Sequence, residues 1–374
     1  MTVVAAAGVV ASGCRSDEPG WVEFDDDRIV AVGSGRRTDS FVVDDAVLVP
    51  GFIDIQVNGV DGDDFASADA AGWHTALHTQ ARHGVTACCP TLVSAPLASY
   101  AEPLAIAAAI VSRDSVAAGE QVGARVLGVH LEGPFLGGAP GAHVVEHLRP
   151  VELPWLRALL ERSAGLVRIV TLAPEADAGF SGTRALHAAG VVVAVGHSTA
   201  TYDETRAAAD AGATVVTHLF NGMGPFNHRN PGVVGAALDD PRLTPSLIAD
   251  LVHVHPAALR LAIGAKRSVA LVTDAVAVGA KTAGDVVMQE RDGAARLADG
   301  TLAGSVLAMD RAVRNVVDLG VPLERAVELA STVPSEILGL PDRGRLEPGR
   351  RADIVALHRE SRRATAVWVG GRRV

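Results

Sequence analysis

Residues Gly196–Met223 read GHSTATYDETRAAADAGATVVTHLFNGM. The apolar run before them, VVVAV (Val191–Val195), leads into Gly196-His197, and a second apolar run, ATVVTH (Ala213–His218), ends in His218. An Ala-rich amphipathic segment of helical pattern lies between. Strand, helix and strand in that order predict a parallel pair joined by a crossover helix. His197 and His218 would then stand at the same ends of neighbouring strands, which is where α/β folds place their chemistry.

Six more runs of the same kind flank this unit. In chain order the eight are GFIDIQVN (51–58), GVTACCPT (84–91), RVLGVHLE (125–132), LVRIVTLAP (166–174), VVVAVGHS (191–198), TVVTHLF (214–220), SLIADLVHV (246–254) and SVALVTDA (268–275). Helical stretches such as DAAGWHTALHTQARH and TRALHAA fit between them. Near-continuous apolar strands alternating with helices predict a parallel sheet covered on both faces, and eight of them predict a closed (β/α)8 TIM barrel over residues 50–344. An open doubly wound sheet is the alternative, but no GxGxxG or GxxxxGK[ST] phosphate loop follows any of the strands. Residues 276–300 break the rhythm and read as a hairpin-like insertion, followed by a helix starting near Ser305; TVPSEILGL (332–340) reads as the last helical part. Both chain ends, 1–49 and 345–374, are rich in short strands and turns and predict one small β-domain built from the two termini.

The bulk composition narrows the function. At 374 residues, 48% hydrophobic and 20% charged, the chain is a globular protein with a large core. A net charge of −10 argues against a nucleic-acid surface. No window reaches 18 uncharged apolar residues, so no membrane span is expected. The N-terminal MTVVAAAGVVASGC lacks the basic residues of a secretory leader and reads as a first strand. With only Cys14, Cys88 and Cys89, a reducing cytoplasmic setting is expected.

The strand ends carry the chemistry. They offer Gln56 and Asn58 on strand one, Glu132 on three, His197 on five, His218 on six, His253 on seven and Asp274 on eight. One carboxylate and two imidazoles within reach of one point, with a second carboxylate beside them, match a catalytic site with three N/O ligands and an open position. A divalent cation there would activate water and polarise a carbonyl. Asp274 is the candidate proton carrier. The reaction class this points to is hydrolysis of a poor electrophile such as an amide.

The motifs PGFID-Q-NG (50–59), HLEGPF (130–135), GAH (141–143), GHS (196–198), THLFN (217–221), RNPG (229–232), LVTDA (271–275) and LAGS (302–305) occur in that order. In this the chain resembles the N-acetylglucosamine-6-phosphate deacetylases of the amidohydrolase superfamily over essentially its whole length. The resemblance implies that the terminal β-domain is a small β-sandwich and that Glu132, His197 and His218 hold one divalent metal ion per subunit. Zinc is the first expectation, and iron, cobalt and manganese accept the same ligands. It further implies Asp274 as general base and acid, and His143 as the group that polarises the acetyl carbonyl. Ala142, His143, Asn221, Gly222, Arg229, Asp250, Leu251, Val252, His253, Leu302, Ala303 and Gly304 would contact a small phosphorylated N-acetyl amino sugar. Arg229 and His253 would hold its phosphate, the arginine reaching across the interface of a homodimer.

Three departures bear on this expectation. Gln56 and Asn58 stand where many amidohydrolases carry His-x-His, which favours one metal over two because amides are poor zinc ligands. Strand four ends in TLAPE without a bridging lysine. Finally, Leu251 and Asn230 replace the residues usual in ADG and REPG, which could retune substrate preference. The sequence leaves open a different hexosamine epimer, such as N-acetylgalactosamine 6-phosphate, and a non-catalytic binding protein on the same scaffold.

Overall fold

The structure, a computed structural model, describes residues 1–112, 122–163, 165–279 and 287–374. Eight strands, Phe52–Val57, Val85–Val93, Val129–Glu132, Val167–Leu172, Val192–Val195, Ala213–Val216, Thr244–Ile248 and Ala270–Val272, each fall on one of the eight apolar runs. They pair in sequence order, every neighbour parallel. A helix follows each strand, from Ala70–Arg82 after the first to Met309–Asp318 after the eighth. This is a (β/α)8 barrel whose strands are buried on both faces, the reason their sequences are apolar throughout rather than alternating.

Local signals start the helices where the sequence places them. Asp69 accepts from the Gly72 amide at 2.9 Å to cap the first helix. Thr201 and Glu204 form a reciprocal capping box on Tyr202–Asp210, the helix of the Gly196–Met223 stretch. The two ends of that stretch meet again beyond the strands, where the Ser198 amide donates to the Gly222 carbonyl at 3.0 Å.

Between the first and eighth strands the regular ladder is not completed among the described residues. Individual hydrogen bonds close the barrel there: Asp274 N to Gln56 O at 2.9 Å, Asn58 N to Ala275 O at 2.8 Å and Gly59 N to Ala275 O at 3.0 Å.

Two boundaries differ from the sequence reading. The seventh strand stops at Ile248, so the 250–254 part of the expected run is a turn, because the Asp250 side chain accepts from the Val252 and His253 amides at 2.9 and 2.8 Å. The helix expected near Ser305 starts at Met309 instead, because Leu302–Ser305 pairs as a strand with Ala294–Arg296 and Ser305 N donates to Asp274 O at 2.8 Å. With Gln289–Arg291 these two strands form a three-stranded antiparallel sheet, the expected insertion; its 280–286 portion lies outside the described residues.

The chain ends pair into one seven-stranded sheet. Phe41–Pro50, at the mouth of the barrel's first strand, pairs in parallel with Thr2–Val9 on one side and antiparallel with Ile354–His358 on the other. Ile354 and Ala356 join Val22, Phe24, Ile29 and Trp368 in a core of their own, separate from the barrel's. The alternate residues Val355 and Leu357 pack instead into the barrel's core.

Candidate active site

Strand ends bring the predicted residues to one point. Glu132 ends the third strand; His197 and His218 follow the fifth and sixth, and Asp274 follows the eighth. His197, His218 and Asp274 have φ of 49°, 31° and 48°, left-handed values that turn the chain sharply off the strand. Such backbone costs about 1–3 kcal/mol per residue and survives only where its surroundings over-determine it.

Glu132 Oε1 lies 3.0 Å from His197 Nε2 and 2.9 Å from His218 Nε2, and the two Nε2 atoms are 3.1 Å apart. His197 Nδ1 faces the Ala139 carbonyl at 3.2 Å and donates its proton there, so Nε2 presents a lone pair to the centre. Three Lewis bases crowded this closely, all nearly sealed from solvent, are a candidate donor set for a divalent cation with an open position. Burial works against the Glu132 carboxylate, but the two imidazoles outweigh it and hold the carboxyl well below its usual range. Burial likewise opposes a charged His218, and the Glu132 carboxylate outweighs that and moves the imidazole up. A rival third ligand is present: one nitrogen of His143 lies within 4.8 Å of the donor atoms of Glu132 and His197. His218 is the better placed, being near 3 Å from both.

Gln56 and Asn58 face the carboxylates with their amide nitrogens. Gln56 Nε2 donates to Glu132 Oε1 at 3.0 Å and to Asp274 Oδ1 at 3.3 Å, and Asn58 Nδ2 donates to Asp274 Oδ1 at 2.8 Å. They orient the two acids. Burial, and then the Glu132 carboxylate, push the Asp274 carboxyl up to about 6, against the pull of Asn58. A carboxylic acid so placed can take and return a proton near neutral pH. His143 Nδ1 accepts from the Ser94 amide at 3.4 Å, which leaves Nε2–H as a donor. Burial and then His197 push the His143 imidazole down to about 3, so it acts as a neutral donor.

Asn58, Glu132, His143, His197, His218 and Asp274 line a cavity of about 360 Å³, a size suited to a small molecule. Of the expected substrate contacts, Ala142, His143, Asn221, Gly222, His253, Leu302, Ala303 and Gly304 line it. Asp250, Leu251, Val252 and Arg229 do not. Asp250 stands behind His253 and accepts from its Nδ1 at 2.6 Å, fixing the ring. Leu251 and Val252 are exposed on that turn, and Arg229 is exposed on the 225–230 loop. The structure adds Asp64, Ser94, Phe220, Met288, Leu297 and Thr301 to the lining. Phe220 sits inside the THLFN motif and was within reach of the sequence. Met288 and Leu297 come from the insertion, whose sequence carries no periodicity pointing to the cavity.

Gly222 shows how tightly the centre is supported. Its φ is 57°, and a Cβ added there would lie 2.7 Å from His197 Nδ1 and 3.3 Å from the Ala139 carbonyl oxygen. Gly222→Ala is therefore expected to break the hydrogen bond that orients His197 and to weaken metal binding about 10–100-fold, a loss read by titrating apo-protein with metal.

Comparison with known proteins agrees with this geometry. The family profile described as "Amidohydrolase family" matches residues 47–374. The chain is 42% identical over 346 residues to the N-acetylglucosamine-6-phosphate deacetylase of Bos taurus, covering 87% of this chain and 82% of that one. It is 40% identical over 338 residues to the N-acetylgalactosamine-6-phosphate deacetylase of Escherichia coli O157:H7, covering 88% of each. Among solved structures, an aspartate-to-alanine mutant of the Mycobacterium smegmatis N-acetyl-D-glucosamine-6-phosphate deacetylase, in complex with N-acetyl-D-glucosamine-6-phosphate, superposes with a TM-score of 0.90 at 35% identity, covering 100% of this chain and 98% of that one. The strand order, the carboxylate–imidazole cluster and these likenesses coincide: the chain belongs to the amidohydrolase family.

Proposed function

We propose that the protein hydrolyses the acetamide of N-acetyl-D-glucosamine 6-phosphate to D-glucosamine 6-phosphate and acetate. The observation that carries this reading is the convergence of Glu132, His197 and His218 beside Asp274 and His143 in one cavity. Glu132, His197 and His218 would hold a divalent cation, which would supply water activation and carbonyl polarisation. Asp274, kept in place by Asn58, takes a proton from the attacking water and returns it to the departing amine nitrogen. His143 donates from Nε2 to the acetyl oxygen as negative charge gathers there. His253, locked by Asp250, faces the cavity as a phosphate or hydroxyl partner.

The test is direct. Metal-loaded protein should release acetate from this substrate; none, with a known deacetylase active in the same assay, refutes the reading. A second substrate, N-acetylgalactosamine 6-phosphate, is favoured by the 40% identity to a deacetylase of that name. The ratio of kcat/KM on the two epimers decides between them.

One zinc ion per subunit is the metal reading. Both amides of the first strand already donate to the carboxylates, where a second cation would need an acceptor. We also place the protein in a reducing cytoplasm, consistent with three unpaired cysteines. No helix among the described residues is long and apolar enough to cross a membrane.

Arg229 belongs with a homodimer. It is exposed and outside its own subunit's cavity lining, which supports the reading that it reaches the phosphate of a substrate in a neighbouring subunit. Arg229→Ala is expected to raise KM for the phosphorylated sugar about 10–100-fold through the lost charged hydrogen bonds. Its effect on unphosphorylated N-acetylglucosamine should be small. Equal effects on both sugars would assign the arginine to the loop alone.

A further inference from the structure

Asp54 lies on the first strand, wholly buried, beneath the cavity and not part of its lining. Its Oδ2 accepts from Thr273 Oγ1 at 2.5 Å, and its Oδ1 accepts from Gln56 N at 3.2 Å and Thr273 N at 3.3 Å. The same Thr273 hydroxyl accepts from the Ala275 amide at 3.2 Å. Asp54 thus holds the backbone on both sides of Asp274, directly at residue 273 and through the threonine hydroxyl at residue 275. Residue 274 is the one with φ of 48°. The bonds also cross the seam between the first and eighth strands, where the regular ladder is interrupted. A buried carboxylate is costly unless hydrogen bonds compensate, and Thr273 and Gln56 supply them here.

We propose that Asp54 is the positioning residue of the reaction: with Thr273 it clasps the barrel seam and fixes the left-handed backbone that aims Asp274 at the metal centre. The inference rests on Asp274 being the proton carrier. Asp54 touches neither substrate nor metal ligands. Its hydrogen bonds run to the backbone and the threonine on either side of Asp274, at a site where a displacement of about 1 Å can cost a hundredfold in rate.

The test compares Asp54→Asn, Thr273→Val, Thr273→Ser and the double variant Asp54→Asn/Thr273→Val with the parent enzyme, all metal-loaded, with metal stoichiometry measured on each preparation. Thr273→Val changes shape little and guards against a misfolded Asp54 variant. Turnover per bound metal should fall at least about tenfold in both Asp54→Asn and Thr273→Val, with KM within about twofold. Thr273→Ser, which keeps the hydroxyl, should restore most of the rate. The double variant should be no slower than the worse single, since both changes break one unit. Unchanged turnover per bound metal overturns the proposal, as does a loss that only tracks metal content or folded fraction, or additive losses in the double variant. Asp274→Asn, run alongside, separates the two ideas. If it stays active, the proton-carrier reading fails and the positioning role falls with it. If it is dead while Asp54→Asn and Thr273→Val turn over normally, only the positioning role fails.

Discussion

Asp274→Asn is expected to bind metal as the parent does and to lower kcat by roughly 10²–10⁴-fold, the range a positioned acid–base group supplies. The amide is the same size and can still receive the Asn58 Nδ2 proton at its oxygen, so the cavity should keep its shape. What is lost is the ability to carry a proton. The carboxyl sits at about 6 because burial and the Glu132 charge both oppose its ionisation, so at neutral pH it is ionised yet basic enough to accept. An amide has no such state. The check is a pair of measurements on one preparation, bound metal by elemental analysis and acetate release under single-turnover conditions. Normal turnover with metal present would remove Asp274 from the mechanism.

His218→Ala is expected to remove the metal and with it all acetate release above background. His143→Ala should keep the metal and lose rate. The contrast matters because both imidazoles lie close enough to Glu132 and His197 to be read as the third ligand. Removing a direct ligand should weaken binding by more than the roughly 10–100-fold typical of outer-sphere changes. Removing a carbonyl-polarising donor costs instead about 10²–10³ in kcat. Elemental analysis after dialysis distinguishes the two variants. The reverse pattern, with metal lost from His143→Ala and kept by His218→Ala, would exchange their roles.

Most of the barrel was legible because its strands are buried on both faces and so stand out as continuous apolar runs. The fifth and sixth, with the capped helix between them, could be read almost residue by residue from Gly196 to Met223. The carboxylate and imidazoles of the cavity were legible because each is a polar residue at the end of such a run. Legibility failed where side chains rewrite the backbone. Asp250 draws the chain after Ile248 into a turn, so His253 sits in a loop where an apolar run suggested a strand. Leu302–Ser305 is a strand because of its partner at 294–296 and because Asp274 receives its last amide, and neither fact is local to the sequence. Met288 and Leu297 reach the cavity only through that small sheet. The Asp54–Thr273 bond joins residues 219 positions apart, and no spacing rule announces it.

The terminal sheet has a consequence for how the chain is made. Phe41–Pro50 leaves the ribosome about 300 residues before its partner Ile354–His358. Throughout synthesis of the barrel that flank of the strand stays an open edge, with Val47 and Leu48 beside it and no cognate strand to meet. Open edges of this kind recruit other chains, and pairings across such long sequence separations close slowly. Nascent chains that stall before residue 354 should therefore be the aggregation-prone species and the ones that chaperones hold. Pairing with Ile354–His358 is what covers that edge in the finished fold.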